Sequence, residues 1–236
     1  MMKTQYFLIF AVLTLAIGTG YFYFQTMELQ ENVEQSEEVI NELQTANEVK
    51  EMEMYYAEQS KEIEIDTGYH SWVDSRQLAE ELYKDSEGQF EKEWGIFLGE
   101  VANQYDIEPL IVYELLRTET GGTFDPTLVG PETRYGHAYG MAQFMKNTAP
   151  WIAEKAGLEY EYDLLYDPIY SIELAIVYLG FLHDRYDDWD HALTAYHRGM
   201  YGLEKYIEEN GNAASWYAVE IQENAQELEG FVYVNN

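Results

Sequence analysis

Cysteine is absent from all 236 residues. That excludes a disulfide framework and a lipid-modified N-terminal cysteine, so the fold must rest on its own apolar core. Basic residues are scarce: 13 Lys and Arg stand against 44 Asp and Glu, a formal net charge of −31. A surface of that sign disfavours nucleic acid and anionic lipid as ligands. An anionic polymer would have to be gripped by shape and stacking instead. Proline is also rare: all five lie at or after Pro109, and neither Gly nor Pro interrupts Glu28 to Asp66. Alternating patterns of strand type never extend beyond a few residues, which excludes a mainly β chain.

What is present begins with a charge-free run, Thr4 to Met27, almost wholly apolar from Tyr6 to Phe24. About 20 apolar residues span a bilayer core. Lys3 precedes the run, and Glu28, Glu31 and Glu34 follow it. Residues 1–27 therefore read as a signal anchor at the cell membrane, N-terminus cytoplasmic and the remainder outside. The alternative is a signal peptide cleaved after Ala16-Ile17-Gly18, giving a secreted protein.

Residues 28–66 carry thirteen acidic side chains against Lys50 and Lys61. They read as a solvated helical stalk reaching roughly 55–60 Å if fully helical. Leu29, Val33, Ile40 and Leu43 fall on heptad-like spacing, so a coiled coil and self-association through the stalk form the alternative. From 67 to 236 the composition changes, with Gly, Pro, Trp and Tyr and with apolar residues at helical spacing. Helices are expected near 75–83, 89–104, 109–120, 145–156, 169–185, 191–195, 201–210 and 213–227, giving a mainly α domain. Its aromatics suit sugar rings as well as ordinary core packing.

Glu119 is the first candidate for chemistry. Leu116, Leu115 and Val112 lie three, four and seven residues before it, so the carboxylate continues an apolar helical face. Such surroundings raise a carboxyl pKa and hold the proton a general acid needs. The bland alternative is a carboxylate at a helix end, turned to water beside Gly121-Gly122.

Four blocks between Ile107 and Tyr206 then occur in order. They are Glu108-Pro109 through Arg117-Thr118-Glu119-Thr120-Gly121 with Phe124-Asp125-Pro126; Ala138-Tyr139-Gly140-Met141-Ala142-Gln143-Phe144-Met145 with Thr148-Ala149; Asp167-Pro168 with Ile172, Leu174 and Tyr178-Leu179; and Ala192-Leu193-Thr194-Ala195-Tyr196-His197-Arg198-Gly199. Together they resemble the soluble lytic transglycosylase (SLT) domain, whose fold is akin to goose-type lysozyme. Thr120, Ala142, His197 and Arg198 depart from that family's usual residues.

The resemblance implies a lysozyme-like helical domain that cleaves the MurNAc–GlcNAc β-1,4 bond of peptidoglycan with no cofactor. It implies Glu119 as the catalytic acid, then base, with the MurNAc N-acetyl group assisting and a 1,6-anhydro ring as product. Thr120, Gly140, Met141, Gln143, Tyr196 and His197 are the matching substrate-side positions. Tyr196 is expected beside Glu119, its hydroxyl fixing the carboxyl or the acetamido group; the alternative is a core tyrosine bonded to backbone. Gln143 is expected on the N-acetyl group or the Glu, or else as a capping amide. Gly121 and Gly140 allow close chain or sugar approach. His183, His191 and His197 have no metal-ligand spacing, and Tyr186 to Asp190 lacks calcium-loop spacing and reads as a solvated turn. Two other functions stay open: a goose-type muramidase using water and a second carboxylate, Asp125 or Glu132, or a non-catalytic glycan-binding component of an envelope-spanning or phage machine.

Overall fold

The computed structural model describes residues 19, 22–36, 39–40, 43–44, 46–47, 50, 69–133 and 135–234. The chain falls into two compact units, Met1–Asn47 and Glu48–Asn236. In the first, residues 22–36 are helical and exposed. Most of the expected anchor and most of the expected stalk lie outside the described residues. Among the described residues no helix is long and apolar enough to cross a membrane.

The second unit is mainly α, in the order α1 (Tyr69–Asp85), α2 (Lys92–Gln104), α3 (Pro109–Glu119), β1 (Ala138–Tyr139), β2 (Phe144–Met145), α4 (Ala149–Lys155), a 3-10 helix (Tyr162–Tyr166), α5 (Pro168–Tyr186), α6 (Trp189–Arg198), α7 (Met200–Asn210) and α8 (Trp216–Val234). A helix apolar all round belongs in a core, and α5 occupies that place. Ile172, Leu174, Ile176, Val177, Leu179 and Leu182 have no solvent exposure. Each such side chain contributes about 1.5–3 kcal/mol. Helices α2, α3, α4 and α6 pack around α5, while α1 lies on α2 and α8 on α3.

Local chemistry sets the helix ends. Pro109 begins α3 with its fixed φ. Asp167 caps α5 by accepting from the Tyr170 amide at 3.0 Å. The run Tyr186 to Asp190 is a helix junction: Asp187 closes α5 with φ 51°, and Asp188 caps α6 through the His191 amide at 2.9 Å. That cap starts α6 at Trp189, earlier than the expected 191. Ser215 Oγ accepts from the Ala218 amide and starts α8 at Trp216, later than the expected 213. The helix expected from 145 begins at Ala149, because Phe144 and Met145 pair instead with Tyr139 and Ala138 in a short antiparallel hairpin.

Candidate active site

Glu119 is the last residue of α3, partly buried, with an apolar helical face behind it. Its Oε1 accepts a hydrogen bond from Tyr217 Oη at 2.6 Å. Burial pushes the carboxyl up to about 7, against the opposing pull of the Tyr217 hydrogen bond. No other charged group among the described residues contributes to that shift. A carboxyl titrating near neutrality holds a proton to donate and becomes a usable base once it has done so.

Helix α8 delivers Tyr217, and a second pair of contacts fixes how it lies. Asn224 Nδ2 donates to Glu114 Oε2 at 3.3 Å, about one and a half turns back on α3. Stepping forward from Glu114 to Glu119 on one helix matches stepping backward from Asn224 to Tyr217 on the other, so α3 and α8 run antiparallel. Glu114 is fully buried and bonded to Arg117 at 3.0 Å. Arg117 also pairs with Asp85, which accepts from Tyr113 Oη at 2.7 Å. This chain of bonds compensates a buried charge and ties α1, α3 and α8 together behind the acid.

The loop after Glu119 is held from the other side. Phe124 stacks on Tyr113 at 5.1 Å and meets Phe90 edge-on at 5.1 Å. Gly121 and Gly122 adopt φ of 60° and 82°, which end α3 directly after the acid. Thr120, an expected substrate contact, turns its hydroxyl to the backbone of its own turn. Its Oγ1 donates to Leu116 O at 2.8 Å and accepts from the Phe124 amide at 3.0 Å. The hydroxyl is consumed in fastening the turn.

Tyr196 takes the backbone-bonded arrangement given above as the alternative. Its hydroxyl donates to Ala142 O at 3.0 Å, and the bond expected from it to Glu119 is made by Tyr217. Tyr196 nevertheless lies near the acid. Burial raises its pKa well above the usual value, with further rises from the Glu119 and Tyr178 charges. Tyr217 is raised well above its usual value by burial first, then by Glu119 and Tyr196. Both phenols stay protonated and donate.

The hairpin loop places the remaining expected residues. Gly140 has φ 75°, and a Cβ there would fall 1.7 Å from Leu165 O. Close approach of the chain therefore demands glycine at this position. Met141 has no solvent exposure, so its side chain packs in the core. Gln143 adopts φ 51°, and its Nε2 donates to Gly140 O at 2.7 Å and Leu128 O at 3.3 Å. Its amide stabilises an unfavourable backbone conformation, as the alternative of a capping amide has it.

His197 is exposed and stacks on Tyr217 with ring centroids 4.6 Å apart at 18°. Trp216 meets it edge-on at 5.7 Å. Partial loss of hydration beside these rings lowers the His197 pKa, and the adjacent Arg198 lowers it further. His183 stacks on Trp189 at 4.0 Å and His191 pairs with Asp188. Among the described residues no group of three His, Cys, Asp or Glu side chains is placed to hold a metal ion.

Tyr217 is the site residue that the sequence pattern misses. It lies 98 residues from Glu119, outside the four blocks, and a tyrosine beside a tryptophan at a helix start reads as packing. The signal available was the Ser215 cap, which fixes where α8 begins.

Residues 97–219, just over half of the chain, match the family model described as the transglycosylase SLT domain. No curated protein and no solved structure matches. The matched stretch holds Glu119, the hairpin, Tyr196 and also Tyr217, so the family's sequence pattern spans both partners of the central hydrogen bond. The chain belongs to the transglycosylase SLT domain family.

Proposed function

We propose that this protein is a lytic transglycosylase that cuts peptidoglycan glycan strands between MurNAc and GlcNAc, with Glu119 as its only acid/base. The observation that carries the reading is the partly buried Glu119 carboxyl, raised to about 7 and held by Tyr217. Protonated Glu119 donates to the leaving GlcNAc oxygen while the MurNAc acetamido oxygen bonds to the anomeric carbon. The resulting carboxylate then takes the proton of the C6 hydroxyl, whose oxygen displaces the acetamido group. The 1,6-anhydro ring forms, the acid regains its proton, and no water is consumed.

The environment of Asp125 favours this route over a muramidase. A hydrolase needs a second carboxylate to activate water. Asp125 is exposed, and its Oδ1 accepts from the Thr127 amide and hydroxyl, both at 2.8 Å. Those bonds hold its pKa below the usual range, a turn-forming arrangement. Digestion of purified sacculi by the full chain tests the reading. Anhydro ends are expected by mass spectrometry, one water lighter than reducing ends; a predominance of reducing ends points to the hydrolase. A silent digest points to the non-catalytic glycan binder.

The apolar run Thr4–Met27 supports placing the enzyme at the cell membrane with its catalytic unit outside, within reach of the wall. Protease added to intact cells should then remove the domain, and full protection would refute the orientation.

A further inference from the structure

The hairpin carries a second cluster that the acid/base chemistry does not use. Lys146 directly follows β2, and its Nζ sits 3.7 Å from the centroid of the Tyr162 ring and 4.9 Å from that of Tyr139. Tyr139 meets Tyr162 edge-on at 5.1 Å and Tyr166 at 6.2 Å. The Tyr162 and Tyr166 hydroxyls share a hydrogen bond of 2.6 Å, so the tyrosines brace one another. The three rings are partly buried, whereas Lys146 is exposed.

Arg76 and Arg198 also lie over ring faces, of Trp72 and Tyr206, but Lys146 is the cation that adjoins the hairpin. Lys84, Lys92, Arg117 and Lys205 each pair with an Asp or Glu. Lys146 lies across ring faces and pairs with no carboxylate among the described residues, although Glu161, Asp163 and Asp167 occupy the segment that bears Tyr162 and Tyr166. Resting on aromatic faces restricts the long side chain before any ligand arrives, which lowers the ordering cost of binding. In a protein of net charge −31, such a placed ammonium is a local exception to the repulsion of anions.

We infer that Lys146, with Tyr139 and Tyr162, forms a subsite for the carboxylate of a peptide carried on an amino sugar. This inference rests on the wall-glycan reading above and names the part of the substrate that the subsite holds. Ala142, whose carbonyl accepts the Tyr196 bond, is four residues from Lys146, so their Cα atoms lie within ~14 Å. A peptide of about four residues, extended, spans the same length. A stem peptide of that length therefore has the reach to cross from Ala142 to the ammonium.

The test is calorimetric binding of the full chain, in detergent, to a muramyl tetrapeptide with free carboxylates and to its fully amidated counterpart. Lys146→Met should weaken the carboxylate probe by up to about fivefold, the strength of an exposed ion pair. Lys146→Arg should bind it like the wild type, and affinity for the amidated probe should stay unchanged throughout. An unchanged affinity in Lys146→Met, an equal loss for both probes, or no binding of either probe by the wild type overturns the subsite. Sacculus digestion run in parallel separates the two readings. A wild type that releases no muropeptides refutes wall cutting, yet leaves a Lys146-dependent carboxylate affinity standing. Digestion with an affinity indifferent to Lys146 refutes the subsite alone.

Discussion

Tyr217 donates its phenolic proton to Glu119 at 2.6 Å, joining the end of α3 to the start of α8 across 98 residues of chain. The bond opposes burial, because a donor to a carboxylate stabilises its charged form. Burial prevails, and the carboxyl rests near 7 rather than near its ordinary 4.5. The pair thus sets both where the acid points and the pH at which it holds its proton.

The activity should follow that proton. In the proposed reaction cleavage starts from protonated Glu119, so the rate on sacculi should fall as pH rises through about 7. Removing the hydroxyl in Tyr217→Phe removes the one influence lowering the pKa, and the descending limb should move to higher pH. Loss of orientation should also cut the maximal rate by roughly tenfold. A pH–rate profile unmoved from wild type would show that the bond does not tune the acid.

Glu119→Gln should reduce cleavage by about 10²–10⁴-fold while keeping the fold. Its effect on stability should depend on pH. Between the unfolded value of 4.5 and about 7 the unfolded chain loses its proton while the folded carboxyl keeps it, so this group costs wild-type stability as pH rises. The Tm of Glu119→Gln relative to wild type should therefore be higher at pH 8 than at pH 4.5. Melting curves at the two pH values check it.

Arg117 compensates Glu114, which has no solvent exposure. Arg117→Met leaves that carboxyl its charge but only the Asn224 bond, and should cost about 3–5 kcal/mol in urea unfolding. Adding Glu114→Gln removes the stranded charge and should recover part of the loss. A double variant no more stable than the single one would locate the damage in packing rather than charge.

Two glycines beside the site should respond differently. Gly140→Ala drives a Cβ against Leu165 O and should cost more than about 3 kcal/mol or prevent folding. Gly121→Ala meets nothing within 4 Å, so only the left-handed φ of 60° is penalised, by about 1–2 kcal/mol. Thermal melts of both variants make the comparison, with equal losses counting against it.

Much of this site is legible in local sequence. Val112, Leu115 and Leu116 place Glu119 on an apolar face, and Gly121-Gly122 ends the helix beside it, so the acid can be picked out within one turn. The capping residues Asp167 and Asp188 mark the helices that follow for the same reason: a cap bonds an amide three residues away. The directions of the polar side chains are not so encoded. Thr120, Gln143 and Tyr196 carry the right groups for a substrate, yet each bonds to nearby backbone that only the folded chain presents.

By itself, then, the sequence determined a mainly α domain and a carboxylate set against apolar neighbours, because periodicity, caps and stops act over a few residues. Tertiary structure alone decided that Tyr217, not Tyr196, holds that carboxylate, and that Met141 belongs to the core. The physical reason is distance along the chain. A hydrogen bond between residues 98 positions apart depends on how α3 and α8 pack, and no local pattern records the geometry of that packing.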